Sequence, residues 1–106
     1  ALREKITAAR TVMNQHGDQN IPLWLTEIGV PTEVPWWSNA PVLTEQDAAS
    51  WLNLVYTKLW DLTPTIFWYE IQDRAADDPQ AHFGLLRAEG SPKPAYDVLR
   101  GLTLPR

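Results

Sequence analysis

Apolar residues recur at helical spacing from the start of the chain. Leu2, Ile6, Ala9 and Met13 share one face, with Val12 beside them and Arg3, Lys5 and Arg10 on the other side. This pattern predicts an amphipathic helix over 1–16, ended by Gly17 in a left-handed conformation and by the turn formers at 18–20. The next run, IPLWLTEI at 21–28, is mostly apolar, too short for an independent helix and bounded by turn residues, so it reads as a buried parallel strand. Pro22 falls in its first residues, where a missing amide is tolerated. Residues 31–42 contain three prolines and the pair Trp36-Trp37, and read as an irregular loop. Thr44 with Asp47 three residues on has the form of a capping box, although Glu or Gln is the usual partner there. Ala48, Trp51, Leu52, Val55 and Leu59 then share a helical face, which predicts a helix over 44–61, ending before Pro64. TIFWYEI at 65–71 is rich in β-branched and aromatic residues and reads as a second strand. A polar loop at 72–80 and a short extended piece at 82–86 follow. Ser91-Pro92 then reads as the cap and first turn of a helix over 92–100.

The order helix, strand, helix, strand, helix predicts right-handed βαβ packing and a parallel sheet, hence an α/β fold. Two buried strands cannot cover their own edges and faces. The rest of the sheet is therefore expected either from sequence beyond these 106 residues or from another chain, by self-association.

Composition narrows the function. Lys plus Arg is 9 against 13 Asp plus Glu, a net charge of −4, and the basic residues are scattered. This gives no electrostatic reason to expect nucleic-acid or anionic-membrane binding. No segment approaches the roughly 20 apolar residues of a membrane span. The absence of cysteine removes disulfides, thiolate catalysis and cysteine-ligated metals, and leaves the compartment undecided. Six tryptophans in so short a chain have two readings, core filling and a platform for a planar or sugar ligand.

Glu27 is the first candidate for chemistry. It ends an apolar strand directly before Ile28-Gly29, a poor place for a carboxylate unless it works or is well hydrogen-bonded. A surface carboxylate at a strand exit is the other reading. His16 reads as a helix-end residue and His82 as a loop residue. His82, Asp73, Asp77 and Asp78 lack the spacing of known metal motifs, so no metal is expected. There is no nucleophile elbow, phosphate-binding loop or dinucleotide fingerprint, and no cofactor is expected.

Trp24-Leu25-Thr26-Glu27-Ile28-Gly29, preceded by 13–18 (MNQHGD), resembles the seventh strand of clan A glycoside hydrolases. Phe67-Trp68-Tyr69-Glu70 resembles their eighth strand. Phe83-Gly84-Leu85-Leu86 followed by 90–96 (GSPKPAY) resembles their closing loop and last helix. The three blocks span nearly the whole chain in the family's order, and are most similar to bacterial proteins of family 39 or family 5 type. Val30 departs from the pattern, since many relatives carry Trp there; Trp36 or Trp37 are the nearest replacements.

The resemblance implies strands seven and eight, with flanking helices, of a (β/α)8 TIM barrel of about 250 residues, incomplete as given. It implies retaining hydrolysis of O-glycosidic bonds in a glycoside or polysaccharide, with Glu27 as nucleophile and a second carboxylate about 5 to 5.5 Å away. The acid/base Glu of this clan lies on strand four, after Asn, and no segment here resembles it; Glu33 and Glu70 are the nearest substitutes. The chain alone is thus expected to be inactive. Trp68 matches the family's strand-eight sugar platform, with core packing as the alternative. Trp36 and Trp37 would line the cleft, and Trp51 and Trp60 belong to the core. The expected partners are a carbohydrate and the remainder of the barrel, and a secreted or periplasmic parent is compatible. The rival reading is a non-catalytic fragment that binds sugar or protein through Trp36, Trp37 and Trp68 and self-associates.

Overall fold

The computed structural model describes residues 2–32, 43–75 and 79–103. Helix α1 (Leu2–Gln15) ends where Gly17 takes φ 86°. The Asp18 amide donates to the Met13 carbonyl at 2.9 Å and the Gly17 amide to Asn14 at 3.3 Å, which satisfies carbonyls the helix would leave open. Strand β1 (Trp24–Ile28) begins three residues later than the apolar run suggests. Ile21 is taken up in the turn instead: its amide donates to Asp18, and its carbonyl accepts from Arg10 at 2.8 Å.

Helix α2 (Glu45–Lys58) carries the expected box, with the Asp47 amide on Thr44 Oγ1 and the Thr44 amide on Asp47 Oδ2, both at 3.0 Å. It stops at Lys58 rather than 61, because the Leu59 carbonyl accepts from both Leu62 and Thr63 in a tight turn. Thr63 is wholly buried, and its hydroxyl donates to the Leu23 carbonyl at 2.8 Å, fixing the turn to the start of β1.

Strand β2 (Thr65–Trp68) ends before 71. The Tyr69–Glu70 peptide is cis, and beyond it the backbone pairs with a strap that follows a 3-10 turn (Pro79–Ala81). Glu70 donates to Phe83, while Leu85 and Leu86 donate to Glu70 and Ile71. The last helix, α3 (Pro94–Thr103), begins at Pro94, not at Ser91-Pro92. Pro92 is bridged to Leu86, and the Ser91 carbonyl accepts from the Arg87 amide at 2.8 Å, so both belong to a hairpin turned by Gly90 at φ 96°. Pro94, with no amide to satisfy, suits the first helical position.

The two strands pair in parallel. One face of the sheet is covered by two clusters. Ile6, Val55 and Leu59 hold Leu23, Leu25, Ile28 and Ile66, while Leu52, Ala49, Leu85 and Ala95 hold Trp68. The opposite face is open: Trp24 is 56% exposed, Phe67 50%, and their rings touch at 6.0 Å. The strands are therefore buried on one side, not both. Trp51 packs on Trp68 at 5.8 Å as a core residue, but Trp60 is 63% exposed and is not one.

Gly29 is required by close approach. A Cβ there would lie 2.0 Å from the Tyr69 carbonyl oxygen. Gly29→Ala is expected to lower unfolding stability by at least about 2 kcal/mol in urea titrations. Gly101→Ala, with nothing within 4 Å of the added methyl, should raise it by about 0.5 kcal/mol.

The Asp47 carboxyl is held below its usual range by the Thr44 amide and hydroxyl. Its stabilising effect is complete above the unfolded-state value and is lost as pH falls through the lowered folded value. The melting temperature should therefore fall as pH drops below about 4. Asp47→Asn should make that acid slope shallower, as measured by circular dichroism melts.

Candidate functional site

Strict alternation along β1 would place Glu27 on the same face as Leu25, against the helices. The register shows otherwise: Leu25 pairs with Ile66 and Ile28 with Trp68, three steps on β1 against two on β2. The extra residue is a bulge, and such insertions re-aim side chains. Leu25 and Ile28 thereby both reach the helix-covered core, while Thr26 and Glu27 are exposed on the open side.

Glu27 lines a cleft of about 360 Å³ with Ile28, Gly29, Tyr69, Gln80 and Phe83. The cleft lies at the C-terminal ends of both parallel strands, where open α/β sheets and barrels bind their ligands. The Tyr69 amide donates to the Ile28 carbonyl at 2.7 Å, which extends the strand pairing to the cleft floor. Tyr69 and Phe83 meet edge to face at 5.7 Å and form an aromatic wall.

The structure gathers some candidates and separates others. Trp68 lies on the covered face against Trp51 and Leu52's cluster, so it packs the core and does not line the cleft. Period-two alternation explains this: its neighbour Tyr69 takes the open side. Tyr69, Phe83 and Gln80 were missed as site residues, and the alternation of 65–69 was the signal available for Tyr69. Trp36, Trp37 and Glu33 lie outside the described residues. Glu70 does not line the cleft; its Oε1 is buried with no hydrogen-bond partner among the described residues. No second carboxylate joins Glu27 there among the described residues.

Asp73 and His82 approach at 3.7 Å, and Asp73 is paired with Lys93. No group of three metal-ligating side chains forms among the described residues, and Asp77 and Asp78 lie outside them. A second hollow of about 240 Å³ is lined by residues of both charges, including Glu45, Asp73, Arg87 and Glu89. Glu45 and Arg87 already satisfy each other through two contacts at 2.6 and 3.0 Å.

The two adjacent aromatic residues should respond oppositely to truncation. Trp68→Ala is expected to cost about 2–4 kcal/mol of unfolding free energy, as for a large core deletion, and Tyr69→Ala less than about 1.5. Urea unfolding of the two variants measures both.

No protein-family model and no curated protein sequence matches the chain. Among solved structures it is similar to a family 39 glycoside hydrolase from the gut symbiont Bacteroides cellulosilyticus, with 30% identity over 71% of this chain and a TM-score of 0.55. A GH5_18 protein from Streptomyces cattleya, solved with Manb1-4GlcNAc, is 27% identical over 80% of the chain at a TM-score of 0.53. The beta-glucuronidase of Bifidobacterium dentium, at 19% identity, shares the fold over 94% of the chain with a TM-score of 0.60. The chain spans only 14%, 22% and 18% of these three proteins. The three α-helices and two parallel strands of the described residues are thus similar to one part of TIM-barrel glycoside hydrolases, and the likeness supports a glycosidase-like segment.

Proposed function

We propose that this chain is the part of a retaining (β/α)8 glycoside hydrolase of clan A that carries the nucleophile, Glu27, on strand seven. The single observation that carries the reading is the β1 bulge, which sends Glu27 off the apolar face and into a cleft shared with Tyr69 at the ends of both parallel strands. A carboxylate so placed, beside aromatic surface and glycine backbone, suits attack on an anomeric carbon, with the aromatic wall against the apolar face of a sugar. Tyr69 with Phe83, rather than Trp68, forms that wall.

The acid/base carboxylate comes from elsewhere in the barrel, so the 106 residues alone turn over nothing. The open sheet face bearing Trp24 and Phe67 packs against the other strands of the barrel. The substrate is a β-linked glycoside, and the reaction needs no cofactor. The same open face also favours a second reading, a self-associating fragment without catalysis.

The test is hydrolysis of 4-nitrophenyl β-glucuronide and β-mannoside by the intact protein carrying this chain. Glu27→Gln should lower kcat at least about a thousandfold, the scale on which loss of a reacting group acts. Glu27→Gly with added azide should recover turnover and release a glycosyl azide of inverted configuration. Unchanged kcat in Glu27→Gln would exclude Glu27 as the nucleophile. A 106-residue chain that sediments as a stable dimer and hydrolyses neither glycoside, alone or in its parent, would favour the fragment.

A further inference from the structure

Lys93 is 1% exposed, an unusual place for an ammonium. Nζ donates to Thr32 Oγ1 at 3.0 Å and to Asp73 Oδ1 at 2.9 Å, and lies 2.8 Å from Asp73 Oδ2, so the ammonium faces one hydroxyl and both oxygens of one carboxylate. Each partner is itself tied further. Asp73 Oδ1 accepts the Gly84 amide at 2.7 Å, and the Asp73 amide donates to Leu86 at 2.9 Å. The Thr32 amide donates to the His82 carbonyl at 3.1 Å, and its hydroxyl lies 3.4 Å from the same oxygen.

These bonds join four segments at one point. Thr32 lies five residues beyond Glu27 on the exit of β1, and Asp73 lies on the exit of β2. Gly84 lies on the strap that carries Gln80 and Phe83 into the cleft, and Lys93 directly precedes α3. Gly84 also has no room for a side chain, since a Cβ would sit 2.2 Å from the Asp73 amide nitrogen. Buried ion pairs can often be replaced by apolar side chains of similar volume with little loss of stability, so stability alone does not call for an ammonium here. They would not hold a hydroxyl from one strand exit and a carboxylate from the other at set directions around one atom. The arrangement therefore supplies geometry.

We infer that Lys93 is a positioning residue of the Glu27 cleft: its ammonium clamps the exits of β1 and β2 and the strap into one unit, setting where Phe83 and Gln80 stand relative to Glu27. The part of this inference that concerns turnover rests on the glycosidase reading above. The clamp itself does not.

Two measurements on the intact protein separate these. In hydrogen exchange followed by mass spectrometry, Lys93→Met should speed exchange at least tenfold in peptides covering 29–32 and 82–86 together, while peptides of α1 keep the wild-type rate. Equal rates in those peptides, or a uniform rise over the whole chain, would overturn the clamp. Where Lys93→Met fails to fold, Thr32→Val decides. It removes one arm and leaves the Lys93–Asp73 pair, and it should speed exchange at 29–32 with 82–86 less affected; no change at 29–32 overturns the clamp equally. In turnover of the 4-nitrophenyl glycosides, measured well below the melting temperature and per folded molecule, Lys93→Met should lower kcat/KM ten- to a hundredfold, chiefly through KM. Wild-type KM and kcat in a variant with loosened peptides would refute the positioning role while leaving the glycosidase reading intact. Absence of turnover in the wild type would refute that reading and leave the exchange result to decide the clamp.

Discussion

Where Gly29 meets Tyr69, two backbones come closer than any side chain allows. The Tyr69 carbonyl oxygen occupies the place where the Cβ of another residue would stand, and the Phe83 ring edge lies 3.3 Å from that same point. This contact lets the parallel pairing continue one residue past the end of β2, through the Tyr69 amide on Ile28, the last residue of β1. Everything at the cleft is built on it. With the strand ends splayed, Tyr69 would leave Glu27, and the strap that packs on Tyr69 through Phe83 would lose its support. Glycine is needed here for proximity, whereas Gly17 and Gly90 are needed for their positive φ.

The bulge in β1 resolves a conflict between packing and chemistry. Leu25 and Ile28 both enter the cluster around Ile6, Val55 and Leu59. Fully burying such side chains is worth about 1.5–3 kcal/mol each, so even the half-burial of both outweighs the roughly 1 kcal/mol net of a ladder hydrogen bond that a bulge forfeits. The apolar demand therefore wins, and the residue displaced by it, Glu27, goes to the open side. A carboxylate on the covered face would have met the aliphatic core instead, at a far larger desolvation cost.

The open face leaves apolar surface of the described residues uncovered. Among the described residues, the two paired strands present Trp24 and Phe67 to solvent on one side while the clusters around Ile6 and Leu52 cover the other. In the TIM-barrel glycoside hydrolases to which the chain is similar, the corresponding face of a strand looks into a packed barrel. In such a barrel the strands that cover this face also bring their C-terminal ends to the rim at which the cleft lies.

Much of this was legible in the sequence, and for local reasons. The 3.6-residue period wrote α1 and α2, Gly17 wrote the end of α1, and Thr44 with Asp47 wrote a reciprocal cap, since each depends only on residues within a few positions. The alternating β-branched and aromatic run at 65–68 wrote β2, and a carboxylate closing an apolar strand marked Glu27. The rest lay in non-local contacts. The end of β2 depends on competition from a strap more than ten residues away, and the start of α3 depends on the Leu86–Pro92 bridge, which takes Ser91-Pro92 out of the helix. Trp60 carries the same apolar signal as Trp51, but only the packing decides which is covered. The amino-acid sequence by itself determined the order of helices and strands and the carboxylate at a strand end. Only the tertiary structure decided that Glu27 leaves the covered face to stand beside Tyr69 and that Lys93 is buried, because a bulge shifts the period of β1 and a buried ammonium is held by residues twenty and sixty-one positions away.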